Sequence, residues 1–152
     1  MSEKHLEALR TVFAEVMEKV AFVFLEEDDD QFEMEAVVEG FLAEMEFSGM
    51  ISGQVSVAMP SSHLCELAAS VLGLEADDEA AVKAGEDSLK EILNMTCGQM
   101  LTTCEGSAPV FNLSIPDSRT LSADEWVAFS QMDGSTRYVS DEWPVVLRLV
   151  MS

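Results

Sequence analysis

The sequence has little positive charge. Its 152 residues contain 8 Lys and Arg against 29 Asp and Glu, which gives a formal net charge of -21. Nucleic acids and anionic membranes bind proteins through clustered Lys and Arg, because these side chains neutralise phosphate charge. The composition therefore predicts that neither nucleic acid nor membrane is a partner. It leaves open whether the acidity serves solubility alone or also steers a basic partner.

Long apolar runs and paired cysteines are also missing. No stretch approaches the roughly 18 consecutive apolar residues that a membrane-spanning helix needs, and the N-terminus lacks the apolar segment of a signal peptide. Cys65, Cys97 and Cys104 form no CxxC motif, and we interpret them as buried, unpaired thiols in a reducing cytoplasm. These features predict a cytoplasmic protein. The length predicts one domain, residues 1–152.

Motifs for metal binding and for nucleophilic catalysis are lacking as well. The acidic run at residues 26–30 has neither the central Gly nor the distal Glu of a calcium loop, so we interpret it as a solvated linker. His5 and His63 are isolated in sequence, and His63 reads as a surface or helix-capping residue. There is no zinc-ligand spacing, Ser/His/Asp order or Gly-rich phosphate loop. We therefore predict no metal or cofactor of the chain's own.

Apolar periodicity divides the chain into helices and strands. Three- and four-residue steps predict helices at about residues 3–25, from a cap at Ser61 or Ser62 to near Gly73, and at 77–105, with Gly85 as a point where the last could break. Alternation predicts a β-hairpin of residues 41–47 and 51–59, then strands at 110–115, 126–132, 138–139 and 145–151, with a tight turn at Asp133-Gly134. This order predicts an α+β fold, with helices packed on an antiparallel sheet. Helix followed by paired strands occurs twice, which indicates an internal pseudo-repeat.

The helix at 77–105 has two distinct faces. At 100° per residue, one arc holds its apolar side chains, namely Leu89, Ile92, Leu93, Thr96, Cys97, Met100 and Cys104. An almost opposite arc holds Asp87, Glu91, Asn94, Gly98, Thr102 and Glu105. The first arc predicts the buried face of the helix, and the second predicts an exposed stripe on which Glu91 and Asn94 are neighbours.

The exposed arc contains two residues that disfavour helices. Glycine in a helix interior costs about 1 kcal/mol against alanine, and asparagine costs several tenths. Absence of a side chain at Gly98 would let another protein's backbone approach Asn94 closely. The alternative is that Glu91 and Asn94 are solvated surface and Gly98 is a tolerated defect or a close-packing point.

The run from Asp87 to Gly98, DSLKEILNMTCG, resembles the signature helix of the CheC and CheX chemotaxis phosphatases. In that signature an acidic or Ser residue, Glu, Asn and Gly stand at these offsets. One such helix late in the chain, followed by Phe111, Leu113, Ile115 and Pro116, is more similar to CheX than to CheC, which has two. The first helix departs from the signature, because Glu15 is followed by Glu18 and Phe22 where Asn and Gly should stand. The resemblance therefore implies one site per chain on a CheC-like fold.

The resemblance also implies a reaction. The substrate would be the phospho-aspartyl group of a CheY-like receiver domain, and Asn94 would insert beside it and orient the attacking water. Glu91 would pair with the receiver's active-site lysine, while Asp87, Met95 and Gly98 would contact the receiver. For Met95 the alternative is partial burial against a neighbouring element of the chain. The Mg²⁺ would belong to the receiver, and the chain would be a homodimer.

Two competing interpretations use the same residues. A non-catalytic module could use the stripe to hold a receiver or a flagellar-switch partner without accelerating hydrolysis. A structural dimer subunit could carry the acidic face incidentally. Residue patterns alone do not separate docking from catalysis, because both depend on the same exposed stripe.

Overall fold

The computed structural model of the chain describes residues 2–27, 36–73, 75, 80–140 and 143–152. In chain order their helices and strands are α1 (Ser2–Ala21), β1 (Glu26–Glu27), β2 (Glu39–Ser48), β3 (Gly53–Pro60), α2 (Leu64–Leu72), α3 (Ala80–Glu105), β4 (Asn112–Leu113), β5 (Asp117–Ser122), α4 (Ala123–Ser130), β6 (Ser135–Ser140) and β7 (Trp143–Met151). The strands form one sheet in the order β1-β6-β7-β3-β2-β4, and β5 pairs with β2 beside β4. Each of these pairings is antiparallel. The predicted α+β class is confirmed.

The sheet has a core on each face. Strand β2 turns Phe41, Met45 and Phe47 towards a core shared with α1, α2 and α3. It turns Leu42 towards a smaller core that contains Trp126 of α4. Alternate residues of a strand point to opposite faces, so one strand supports both layers. The predicted hairpin is confirmed, since β2 and β3 pair from Gly40↔Pro60 to Phe47↔Gly53.

Helix α1 ends four residues earlier than predicted. Phe22 adopts a left-handed conformation with φ 56°, and the Val23 amide donates to the Met17 carbonyl at 3.1 Å. This hydrogen bond joins residues six positions apart and closes the end of the helix. It turns Val23 back into the core, where its side chain is buried. Phe22 and Phe24 are 72% and 67% exposed, so the apolar spacing that extended the predicted helix to residue 25 does not mark a buried face at its end.

The start of α2 also differs from its prediction. A 3₁₀ turn, Ser61–His63, precedes the helix, and His63 takes the N-cap position without a side-chain cap bond. The His63 ring stacks on Trp143 with centroids 5.4 Å apart, and its Nδ1 lies 2.9 Å from Glu66 Oε1. The predicted end is confirmed, because Gly73 has φ 72° and closes the helix in the left-handed conformation.

Helix α3 runs without a break through Gly85, where the sequence suggested one. A Cβ placed at Gly85 would collide with the Leu64 backbone carbonyl at the start of α2. The glycine therefore allows α2 and α3 to pack closely. Because α3 is unbroken, the residues of each predicted face stay on one side of the helix.

The segment predicted as a strand at 126–132 instead forms the end of α4 and the turn that follows it. Ser122 Oγ accepts a hydrogen bond from the Glu125 amide at 3.2 Å, and Glu125 Oε1 accepts one from the Ser122 amide at 2.9 Å. This reciprocal capping box starts a helix whose Trp126 and Phe129 lie on one buried face. The backbone hydrogen bond from Ser122 holds the pKa of Glu125 below its usual range. The capping box at Ser122 and Glu125 favours a helix here, and it outweighs the β-favouring residues on which the strand prediction rested.

The strand prediction at 110–115 was too long, and a strand was missed. Only Asn112–Leu113 forms β4, and β5 starts at Asp117, two residues beyond the end of the predicted strand. Leu121 is the one buried residue of β5, because this strand lies at the edge of the sheet. The turn at Gly134, φ 82°, connects α4 to β6 rather than two strands.

The acidic run is partly a strand. Glu26 and Glu27 form β1 and pair with Val139 and Tyr138, although both glutamates are exposed. The linker interpretation was therefore wrong for these two residues. The remaining positions of the run, 28–30, lie outside the described residues.

The three cysteines are free thiols, but the predicted burial is right only for Cys97, because Cys65 and Cys104 are half-buried. Cys97 is fully buried, and burial raises its pKa to about 12 from 9.0. The raised pKa lowers the fraction of Cys97 present as the reactive thiolate at neutral pH. We expect iodoacetamide at pH 8 to modify the half-buried Cys65 and to leave Cys97 unmodified until the protein is denatured, as measured by peptide mass spectrometry. Equal labelling of the two in the native protein would contradict this burial.

Candidate functional site

One face of α3 is built into the core. Leu89, Ile92, Leu93, Cys97 and Met100 are fully buried, and Cys104 at the end of the helix is half-buried. The buried Thr96 hydroxyl donates to the Ile92 carbonyl at 2.7 Å, so its polar group is satisfied within the helix. The predicted core face is confirmed, and its burial fixes which residues point away from the sheet.

The opposite side of α3 presents Asp87, Glu91, Asn94 and Gly98, which we call the α3 stripe. Asp87 and Glu91 are exposed, and Asn94 and Gly98 are partly exposed. Asp87 forms an ion pair with Lys83 one turn earlier, at 3.2 Å. At a rise of 1.5 Å per residue, Asn94 lies about 4.5 Å along the axis from Glu91 and about 6 Å from Gly98. The four predicted residues therefore form one continuous surface.

The polar side chains at the centre of the α3 stripe are unpartnered. Within the part of the chain that the structure describes, neither the Asn94 amide nor the Glu91 carboxylate forms a side-chain hydrogen bond or an ion pair. An Asn side chain can make several hydrogen bonds and is costly in a helix when it makes none that help the fold. Both groups are thus free to bind something outside the described chain.

Gly98 differs from the other glycine of the same helix. A Cβ at Gly98 would meet no atom within 4 Å, whereas a Cβ at Gly85 would collide with α2. Packing therefore explains Gly85 and does not explain Gly98. The space beside Gly98 opens into a shallow cavity of about 210 Å³, which Leu101, Phe111 and Leu113 also line.

Met95, predicted to contact a partner, is half-buried and packs against the core on the helix side of the sheet. Its side chain therefore has a structural role, and only part of its surface remains available. On α1 the position that corresponds to the signature glycine is Phe22, which lies outside the helix with φ 56°. The chain thus has no helical glycine at that register.

The stripe is shorter than the arc predicted from periodicity. Glu105 falls on that arc, yet its side chain is only 14% exposed, and its Oε2 lies 2.7 Å from His5 Nε2. His5 is itself buried, at 5% exposure. Lys4 adds a hydrogen bond from Nζ to the Cys104 carbonyl at 3.1 Å. The antiparallel packing of α1 on α3 creates these contacts, 100 residues apart in sequence, and no local pattern indicated them.

Two further features bear on the chemistry. Among the described residues, no group of three or more His, Cys, Asp or Glu side chains is placed to hold a metal ion. None of the helices in those residues is both long and apolar enough to span a bilayer.

A protein family matches the part of the chain that contains α3. The sequence profile of the family described as "Chemotaxis phosphatase CheX" matches residues 41–125, a span that includes the whole α3 stripe and more than half of the 152 residues. No curated protein sequence matches the chain significantly.

Solved structures share the fold at low sequence identity. A chain of the CheX–CheY–BeF3–Mg²⁺ complex from Borrelia burgdorferi superimposes with a TM-score of 0.70 at 14% identity, over 97% of each chain. CheX from Vibrio vulnificus gives 0.74 at 13% identity, over 97% of this chain and 96% of that one. A CheC-like superfamily protein from Shewanella sp. PV-4 gives 0.69 at 16% identity, over 100% and 99%. On the profile match and this shared fold, the chain belongs to the chemotaxis phosphatase CheX family.

Proposed function

We infer that this chain is a phosphatase that hydrolyses the phospho-aspartyl group of a CheY-like receiver domain. In this proposal Asn94 inserts beside the phosphoryl group and orients the attacking water, and Glu91 pairs with the receiver's active-site lysine. Asp87, Met95 and Gly98 contact the receiver around them. The observation that supports it best is the unpartnered Asn94 amide one turn before the open space at Gly98.

The energetics of α3 support a role outside the fold. Glycine at position 98 costs a helix about 1 kcal/mol against alanine, and asparagine at 94 costs several tenths. No hydrogen bond or ion pair of the Asn94 side chain within the described residues offsets the cost of the asparagine, and no close packing around Gly98 offsets the cost of the glycine. Binding of a partner is a physical reason for both residues to stand there.

The chemistry suits so simple a site. An amide cannot act as a general base at neutral pH, so the proposed contribution of Asn94 is geometric, as with the water-orienting Gln of GTPases. Correct placement of a reacting group accounts for several kcal/mol of a barrier, and a displacement of about 1 Å can cost about 100-fold in rate. The Borrelia complex contains CheY, BeF3 and Mg²⁺, which supports a CheY-like partner that brings the metal itself.

The proposal extends to the organisation of the protein. We propose that residues 1–152 form one domain and that two copies associate into a homodimer. The chain would act in the cytoplasm with its receiver. Size-exclusion chromatography with light scattering tests the dimer, which would elute at about twice the 16.6 kDa of one chain.

The test of the function is the decay of a phosphorylated receiver. A CheY-like receiver from the same genome is phosphorylated with acetyl phosphate in Mg²⁺, freed of the donor, and mixed with catalytic amounts of the chain. We expect phosphate release to be faster than the receiver's own decay. Unchanged decay of a receiver that demonstrably binds would identify a non-catalytic binding module. Absence of both binding and acceleration would favour the structural subunit.

Glu91→Ala is expected to lower kcat/KM about tenfold, chiefly through a higher KM. A charge-assisted pair is worth about 1.5–3 kcal/mol, part of which solvent screening removes at this exposed position. Initial rates over a range of receiver concentrations give the two constants. Glu15→Ala, at an exposed glutamate of α1, is the matched control and should change kcat/KM less than twofold. Equal effects from the two variants would indicate that only overall charge matters.

A further inference from the structure

The segment between α3 and β5 exposes large apolar side chains. Residues 106–116, GSAPVFNLSIP, contain no charged residue in a chain whose composition is 24% charged. Within them Val110 is 84% exposed, Ile115 is 90% exposed and Leu113 is 39% exposed. Single exposed apolar residues are common on protein surfaces, whereas a local group of them often indicates an interaction site.

The backbone of this segment is held in place. Leu113 pairs with Phe47 of β2, and the Ser114 amide donates to the Glu46 carbonyl at 2.9 Å. In return the Glu46 amide donates to Ser114 Oγ at 2.8 Å. The exposed side chains therefore project from an ordered edge of the sheet, so little conformational entropy would be lost when a partner covers them.

The same edge runs alongside the α3 stripe. Leu113 lines one cavity with Gly98 and Thr102 of α3. At its other end Thr120 of β5 lines a second cavity with Val82 and Glu86 of α3. The edge of the sheet and the helix thus run in opposite directions side by side.

Ile115 lies close to the first of these cavities. Residues 114–116 belong to neither β4 nor β5, yet two residues of chain cover at most about 7 Å from Cα to Cα, so Ile115 stays within that distance of Leu113. An aliphatic side chain that is 90% exposed therefore lies near the Gly98 end of the α3 stripe.

We propose that Val110, Leu113 and Ile115 form the apolar half of the surface on which the receiver docks, and that Ile115 is its principal affinity determinant. This inference rests on the proposed function. The occupant is the receiver's surface next to its phosphorylation site, which must present uncharged, apolar side chains to this edge. The α3 stripe supplies the chemistry, and the apolar edge supplies binding and the choice of receiver.

Continuity with the stripe is the reason for this occupant. Specific interfaces bury about 800 Å² per partner, which is a disc of about 16 Å radius. A receiver centred on Asn94 would cover Ile115 and Leu113 within that radius. Interface centres are depleted in charge and their rims are polar. The uncharged edge would then lie near the centre of the contact, and the Lys83–Asp87 ion pair towards its rim.

The test is a comparison of Ile115→Ser with Met132→Ser. Met132 is 45% exposed and follows α4, on the other face of the sheet. With a phosphorylated CheY-like receiver, Ile115→Ser should raise KM about tenfold and leave kcat within twofold of wild type. Ile115→Leu should retain the wild-type KM, and Met132→Ser should change neither constant. Thermal melts should be unchanged, because so exposed a side chain contributes little to folding.

Three results would overturn the inference. The first is an unchanged KM in Ile115→Ser while Asn94→Ala still lowers kcat, which leaves the proposed function standing. The second is a change in oligomeric state with an unchanged KM, which assigns this edge to contact between copies of the chain. The third is an unchanged kcat in Asn94→Ala, or no binding of wild-type protein to any CheY-like receiver of its genome, which removes the proposed function itself.

Discussion

Asn94→Ala is expected to lower kcat for receiver dephosphorylation about 100-fold or more, with little change in KM. The proposed amide orients a water that is not otherwise held in line with the phosphorus–oxygen bond, and loss of such positioning costs rates of this order. The substitution replaces the amide by hydrogen at a side chain that forms no hydrogen bond or ion pair with the described chain. Phosphate release at saturating receiver measures kcat directly.

The folded state should tolerate this change. Alanine favours a helix over asparagine by several tenths of a kcal/mol, so the melting temperature should stay the same or rise slightly. Gln99→Ala provides the matched control, because Gln99 is an exposed amide on the same helix outside the α3 stripe. It should retain the wild-type kcat. A fall of several degrees in the melting temperature of Asn94→Ala would mean that Asn94 is structural.

Gly85→Ala and Gly98→Ala are expected to change stability in opposite directions. At Gly85 the new methyl group would meet the Leu64 backbone carbonyl, and backbone cannot rotate away as a side chain can. Overpacking of this kind costs about 1–3 kcal/mol and occasionally more. For a protein of this size 3 kcal/mol corresponds to a fall in melting temperature of about 6–12 °C.

At Gly98 the same methyl group would meet open space, so only helix propensity changes. Gly98→Ala should raise stability by up to about 1 kcal/mol, and by the proposed function it should weaken receiver docking. Differential scanning calorimetry of the two variants measures the first effect, and KM measures the second. A Gly98→Ala protein that is less stable than wild type would show that Gly98 serves the chain's own packing.

Periodicity predicted those parts of the fold in which one face of an element is buried. The β2–β3 hairpin and the buried face of α3 follow from apolar spacing, because burial on one side leaves a regular pattern. The exposure of Glu91 and Asn94 followed from the same geometry. Their proposed roles came from the family resemblance, since spacing alone does not distinguish a solvated Glu and Asn from a pair that binds a partner or orients a water.

Features that depend on capping or on tertiary contact were not predicted. The strand expected at 126–132 is part of a helix because Ser122 and Glu125 cap it, a signal that is present in the sequence and was outweighed by β-favouring residues. Strand β5 is largely polar because it lies at an edge. The His5–Glu105 contact joins residues 100 positions apart, and the collision at Gly85 involves a different helix. No local pattern encodes these last two.

The apolar edge near the α3 stripe is another feature that depends on tertiary contact and was not predicted. Ile115 was one of the residues that carried the resemblance to CheX, yet its position near the α3 stripe depends on the pairing of β4 with β2. That pairing brings residue 113 next to Gly98 of α3. A site composed of a helix face and a neighbouring sheet edge can be located only when the sheet order is known.

The most direct test of the central claim is a single-turnover measurement on the saturated complex. Phosphorylated receiver is bound by excess wild-type chain or by excess Asn94→Ala, with binding measured in parallel by fluorescence anisotropy, and decay of the phosphoryl group is followed in Mg²⁺. If the α3 stripe positions the attacking water, the phosphoryl group should decay fast in the wild-type complex. In the Asn94→Ala complex it should decay near the receiver's own rate, while the variant binds the receiver with an affinity similar to that of the wild type. Equal decay rates in the two saturated complexes would contradict this role of the α3 stripe.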